Sequence, residues 1–181
     1  MRKNITRFII VCILLFIFKG FLYRSLVNYT EIGKRKGHTI TNEKLIDRIK
    51  KETINEELTL ETIAEISQEI TSKELYFVSR SLEANPNTSF KTKEANCIGY
   101  AAMCNAIGNY IIRQNKLQET YEFKHLVGKM HVLGYDIHEL FSSPFFKNHD
   151  YNVIIHKKTG KKIYLDPSVY DYTWIDRVCS E

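Results

Sequence analysis

Three features of the 181-residue chain point to an α+β fold. Residues 41–70 carry leucine and isoleucine at helical spacing, and Cys97 to about Gln114 is a further alanine- and isoleucine-rich segment. From Tyr121 the texture becomes aromatic and β-branched. Two apolar runs then flank Lys158-Thr159-Gly160, the pattern of a β-hairpin. Helices first and strands afterwards predict N-terminal helices packed on an antiparallel sheet.

The chain opens with "FIIVCILLFIF" (Phe8 to Phe18), an unbroken apolar run preceded by Arg2, Lys3 and Arg7. Its 11 residues fall short of the roughly 20 that span a bilayer and match a signal-peptide core. No small-x-small cleavage pair follows, however, and "IIVC" lacks the small residue of a lipidation site. Lys19 can snorkel, and Phe21, Leu22 and Tyr23 prolong the apolar surface. Residues 1–27 therefore read as an uncleaved membrane anchor in preference to a cleaved signal.

Residues 1–37 hold eight Lys or Arg against Glu31, a net of +7. The whole chain is +5, so the remainder carries −2. The basic excess belongs to the anchor and its flank, where it suits anionic headgroups. The rest has no surplus with which to neutralise phosphates, which excludes nucleic acid as an expected partner. Arg2, Lys3 and Arg7 favour an exported domain in the cell envelope, against the opposing pull of Lys19, Arg24 and "KRK" at 34–36.

"NYTEIGKRKGHT" (28–39) is polar with two glycines and reads as a linker, so the domain is expected over 40–181. Asn42 or Thr41 caps a helix bearing Leu45, Ile46 and Ile49, and Thr59 opens another bearing Leu60, Ile63, Ile66 and Ile70. The stretch 82–96, marked by Asn85-Pro86-Asn87, reads as loop. A strand is expected over 121–134, a connection with one helical turn over 135–148, and the hairpin over 149–168. "VYDYTW" (169–174) reads as a lid or core edge.

Four cysteines make no disulfide framework, although a Cys104–Cys179 bridge is compatible with the sequence. Without a C-x-x-C pair a zinc ribbon is not expected. His125 and His131 share a strand face, and His138 follows, but no carboxylate cluster accompanies them. His156 sits among hairpin lysines as a solvated group.

Three residues occupy telling positions: Cys97 at a helix N-terminus, His149 at the start of one hairpin strand, and Asp166 at the end of the other. A hairpin turning between 157 and 158 sets His149 opposite Asp166. A helix N-terminus favours a thiolate. An adjacent imidazole removes its proton, and a carboxylate orients the imidazole. Cys104, seven residues on, points deeper along the helix and reads as core filler.

These residues lie in "CIGYA", "HDYNVII" and "YLDPS", in that order. The stretch from Ala95 to Ser168 resembles the transglutaminase-like superfamily, a branch of the papain-like cysteine-enzyme fold. Departures are Ala95 where the family often has glycine, and Tyr151 where tryptophan is frequent. The resemblance implies a papain-like α+β domain with Cys97 as nucleophile, His149 as general base and acid, and Asp166 as its orienter. It implies acyl transfer through a thioester on a peptide or carboxamide, as peptidase, amidase or transglutaminase, with no cofactor. The alternative is a non-catalytic, membrane-tethered binding or assembly module on the same scaffold.

Overall fold

Short polar side chains set the helix boundaries. In the computed structural model, which describes residues 2–181, four domain helices each begin at an Asn or Thr whose side chain accepts a first-turn N–H. Asn42 caps α3 (Glu43–Thr53), Thr59 caps α4 (Leu60–Glu74), Asn85 caps α5 (Pro86–Thr92) and Asn96 caps α6 (Cys97–Gln114). Each such cap contributes about 1 kcal/mol. Two further helices, α1 (Arg2–Ile17) and α2 (Lys19–Leu26), precede these, and α7 (Pro167–Thr173) follows them.

Eight strands complete the fold: β1 (Val27–Arg35), β2 (Tyr76–Phe77), β3 (Glu94–Ala95), β4 (Tyr121–Val132), β5 (Tyr135–Asp136), β6 (His149–His156), β7 (Lys162–Leu165) and β8 (Cys179–Ser180). The main sheet runs β7-β6-β4-β1-β8, with β5 folded back on β4. It is mixed, since β8 runs parallel to β1 while the other neighbours are antiparallel. The wholly antiparallel sheet expected from the sequence is corrected in that respect. The remaining pair, β2 and β3, forms a small parallel ladder beside the start of α6.

α6 is the central helix, buried from Gly99 to Gly108 and again at Ile111 and Ile112. Met103, Cys104, Ala106 and Ile107 join the α3 and α4 core residues Leu45, Ile49, Ile63 and Ile70 and the sheet residues Phe123 and Ile154. Gly108 lets the Phe123 ring lie on the helix, since a Cβ there would sit 2.3 Å from Phe123 Cδ2. A second cluster contains Val27, Tyr29, Leu126, Tyr151, Val153 and Val178.

Three expectations change. Residues 82–96 are not all loop, because Asn85 and Pro86 start α5, and Lys93 ends it in the left-handed conformation at φ 65°. The 121–134 strand stops at Val132, where Leu133 (φ 53°) and Gly134 (φ 84°) turn the chain into β5. Most consequential, the 28–39 linker is largely β1, which pairs with β4 from Val27–Val132 to Arg35–His125. Its two glycines masked an alternation in which Val27 and Tyr29 are buried.

Among the described residues no single helix is long and apolar enough to cross a membrane. Arg7–Ile17 and Lys19–Leu26 together have the length and composition but are bent by 66°. α2 is tied to the domain, with Arg24 3.3 Å from Asp176 and Lys19 Nζ 4.8 Å above the Trp174 ring.

Because β1 lies between β4 and β8, a chain starting at His38 should fail to fold, whereas one starting at Lys19 should keep the sheet. Far-UV circular dichroism and a cooperative thermal transition check this. Cooperative melting of the shorter chain would contradict the placement of β1.

Candidate active site

Local sequence places all three of the residues singled out above. Asn96 turns the chain from β3 into α6, its Oδ1 accepting the Gly99 N–H at 3.1 Å and its Nδ2 donating to the Arg80 carbonyl at 3.0 Å. Cys97 is therefore the first residue of the helix, and it is half-buried. Gly99 is capped, so the Cys97 and Ile98 amides are first-turn donors without an intrahelical acceptor.

His149 begins β6, opposite Gly128 of β4. Asp166 ends β7 and caps α7, its Oδ1 receiving the Ser168 and Val169 N–H groups, both at 3.1 Å, and the Ser168 hydroxyl at 2.6 Å. The hairpin register differs from the expected one by two residues: Asn152 pairs with Leu165 and Val153 with Tyr164. His149 and Asp166 are thus diagonal neighbours and not opposite each other. An even slip preserves the side of the sheet, and the imidazole spans the offset. His149 Nε2 lies 2.6 Å from Asp166 Oδ2.

Two tyrosines complete the surroundings of Asp166, and neither was read from the sequence as a site residue. Tyr29 of β1 donates its hydroxyl to Asp166 Oδ2 at 2.7 Å, and its ring meets His149 edge-on with centroids 5.9 Å apart. Tyr23 of α2 lies 2.7 Å from the Tyr29 hydroxyl. A hydrogen-bonded chain therefore runs from the second N-terminal helix through Tyr29 to Asp166 and His149. The only signal for Tyr29 was its alternation with Val27, in a stretch whose glycines and cations suggested a linker.

The electrostatics favour an ion pair. Burial drives His149 towards its neutral form, but the Asp166 charge and hydrogen bond, with Cys97 as the next contributor, raise its pKa well above the ordinary histidine value. Burial likewise pushes Asp166 up, yet the His149 cation, the hydrogen bond from that ring and those from Ser168 and Tyr29 hold it below the usual carboxylate range. The Nε2 contact with a carboxylate fixes the ring so that Nδ1 is the nitrogen left for a second partner.

Cys104 is wholly buried in the core, and burial pushes its thiol up. It is a free cysteine, as are Cys12, Cys97 and Cys179. His138 is buried with Nδ1 2.7 Å from the Phe146 carbonyl, and burial lowers its pKa. His125 meets Asp150 at 2.7 Å, the carboxylate that its sequence neighbourhood did not reveal. Among the described residues no group of three His, Cys, Asp or Glu could hold a metal ion. The 169–174 segment forms most of α7, followed by Trp174 in the left-handed conformation.

No protein-family model, curated protein or solved structure matches the chain. What the site can do rests on its own geometry: a buried carboxylate–imidazole pair and a cysteine at a helix N-terminus form a unit suited to proton transfer and nucleophilic attack.

Stability should record the pair. Asp166, depressed, contributes stability that is present above the ordinary carboxylate pKa of about 3.9 and is lost as pH falls through its lower folded value. His149, raised, contributes stability that is full below about 6.5 and is lost as pH rises through its higher folded value. Denaturation midpoints should therefore peak between about pH 4 and 6.5. His149→Gln should flatten the alkaline arm. Tyr29→Phe, which removes a hydrogen bond to the buried carboxylate, should cost about 1.5–3 kcal/mol at the peak. A wild-type profile superimposable on that of His149→Gln would contradict the pairing.

Proposed function

We propose that the chain is a membrane-tethered cysteine enzyme of the papain-like, transglutaminase-like type, acting on a peptide or carboxamide through a thioester. The observation that carries this reading is the buried Asp166–His149 contact at 2.6 Å, which raises the His149 pKa with Cys97 as a contributor. A structural histidine on a strand end has no need of a buried carboxylate that also receives a tyrosine, a serine and two amides.

In this reaction the Cys97 proton resides on His149, and the thiolate attacks the carbonyl carbon. The resulting oxyanion is placed to accept from the Cys97 and Ile98 amides at the positive end of α6. His149 then gives its proton to the departing amine, which leaves a thioester on Cys97. Water or a second amine, deprotonated by the same imidazole, attacks that thioester and frees the thiol. Asp166 holds the ring orientation and stabilises its cation throughout. The chemistry needs no cofactor.

The tether reading rests on α1. From Phe8 to Phe18 its large apolar side chains are about half exposed or more. An exposed apolar stretch of this size, flanked by Arg7 and Lys19, suits a lipid environment. The expected partners are thus a peptide or protein substrate and a bilayer, with the domain on the exported side.

Thiol reactivity tests the enzyme reading. With iodoacetamide between about pH 5 and 8, Cys97 should alkylate faster than glutathione and faster than Cys179, an exposed internal control. The excess should vanish in His149→Ala. The reading fails if site-resolved mass spectrometry finds Cys97 no faster than glutathione at any pH in that range.

A further inference from the structure

A cleft of about 340 Å³ lies where β1 and β4 meet the second half of α6. Its charged lining has one sign: Lys34 and Arg35 from β1, Lys124 from β4 and Arg113 from α6, together with His38 and His125, and no Asp or Glu. Such a lining concentrates anions.

The neutralisation available from the protein is incomplete. Lys34 sits 3.4 Å from Glu31 and Lys124 2.9 Å from Glu122, both partly exposed pairs that a ligand can replace at little cost. Arg113 and His38 have no ion-pair partner among the described residues. Arg35 gives Nε and Nη2 to Asp150, so one of its amino groups remains. At the back of the cleft His125 is 2 % exposed, and its Nε2 is 2.7 Å from Asp150 Oδ2. Its other ring nitrogen, Nδ1, is buried without a partner. Nε2 donates to the carboxylate, which leaves Nδ1 as the free ring nitrogen.

The cleft and the candidate active site both draw on β1 and α6. Asp150 directly follows His149 in β6. Arg35 pairs with His125, His125 pairs with Asn152, and the Asn152 amide donates at 3.1 Å to the Ala101 carbonyl, one turn beyond Cys97. Asn105 and Arg113 extend the lining along α6 to about 12 and 24 Å from Cys97. An extended peptide covers those distances in roughly four to seven residues.

We propose that this basic cleft is an anion subsite that binds the carboxylate of an acidic residue several positions from the carbonyl attacked by Cys97. The second half of that statement rests on the enzyme reading above; the anion site itself does not.

Two measurements on the full chain in detergent separate these parts. In Cys97→Ala, glutarate should bind saturably, with NMR shifts at His125 and Arg113. Arg113→Gln combined with Lys124→Gln should weaken that binding by roughly fivefold or more. In the wild type, an iodoacetyl peptide ending in glutamate four residues on should label Cys97 roughly fivefold faster than its glutamine counterpart. The double variant should erase that preference while its rate with iodoacetamide stays unchanged. Absence of saturable glutarate binding, or binding indifferent to the double substitution, overturns the anion site. Glutarate binding without the glutamate preference overturns its role as a substrate subsite. So does loss of affinity for phosphatidylglycerol vesicles in the double variant with no glutamate preference, which assigns the cleft to lipid headgroups.

Discussion

The Asp166 carboxylate is the point at which the domain is tied together. It is fully buried, a position that costs several kcal/mol for a charge unless its partners compensate. They come from three places. Tyr29 reaches it from β1, His149 from β6, and Ser168 with Val169 from the first turn of α7. One side chain therefore ends a strand, starts a helix and links two further strands. His149 is held by the same contacts that keep the charge tolerable in the interior. A group able to orient an imidazole for proton transfer is in this molecule inseparable from a group that the fold needs.

The same carboxylate accounts for the role of the N-terminal region. α2 runs into β1 with no intervening residues, and Tyr23 and Tyr29 carry hydrogen bonding from α2 to Asp166. The apolar N-terminus is thus attached to the sheet without slack. If α1 lies in lipid, the candidate site is held at a defined position relative to the bilayer. The contacts of Lys19 with Trp174 and of Arg24 with Asp176 act in the same direction at the surface, where each is worth less than a buried contact.

The legible parts of the sequence were those governed by local rules. The extent of α6 follows from the apolar run after Cys97, and α3 and α4 follow from Asn42 and Thr59. Cys97, His149 and Asp166 were singled out because a helix start and two strand ends are visible in the chain. Non-local pairing was less accessible. The hairpin slipped by two because the loop after His156 closes with a Gly160-to-His156 hydrogen bond, which the symmetric turn ignored. β1 was read as linker because Gly33, Gly37 and three cations outweighed the alternation of Val27 and Tyr29. Its strand character depends on partners β4 and β8, the nearer of which lies over eighty residues away. α5 was missed because Asn-Pro-Asn signals a turn and a capped helix start equally well. The Arg35–Asp150–His125 cluster required the register of three strands, which no local pattern supplies.

Asp166, with Cys97 as a lesser contributor, raises the pKa of the buried His149. NMR titration of ring-labelled histidine in the full chain measures this directly. The expected His149 pKa lies well above the ordinary value of about 6.5, falls on Cys97→Ala and falls further on Asp166→Asn. A His149 resonance that titrates near the ordinary value and ignores the Cys97 substitution would contradict it.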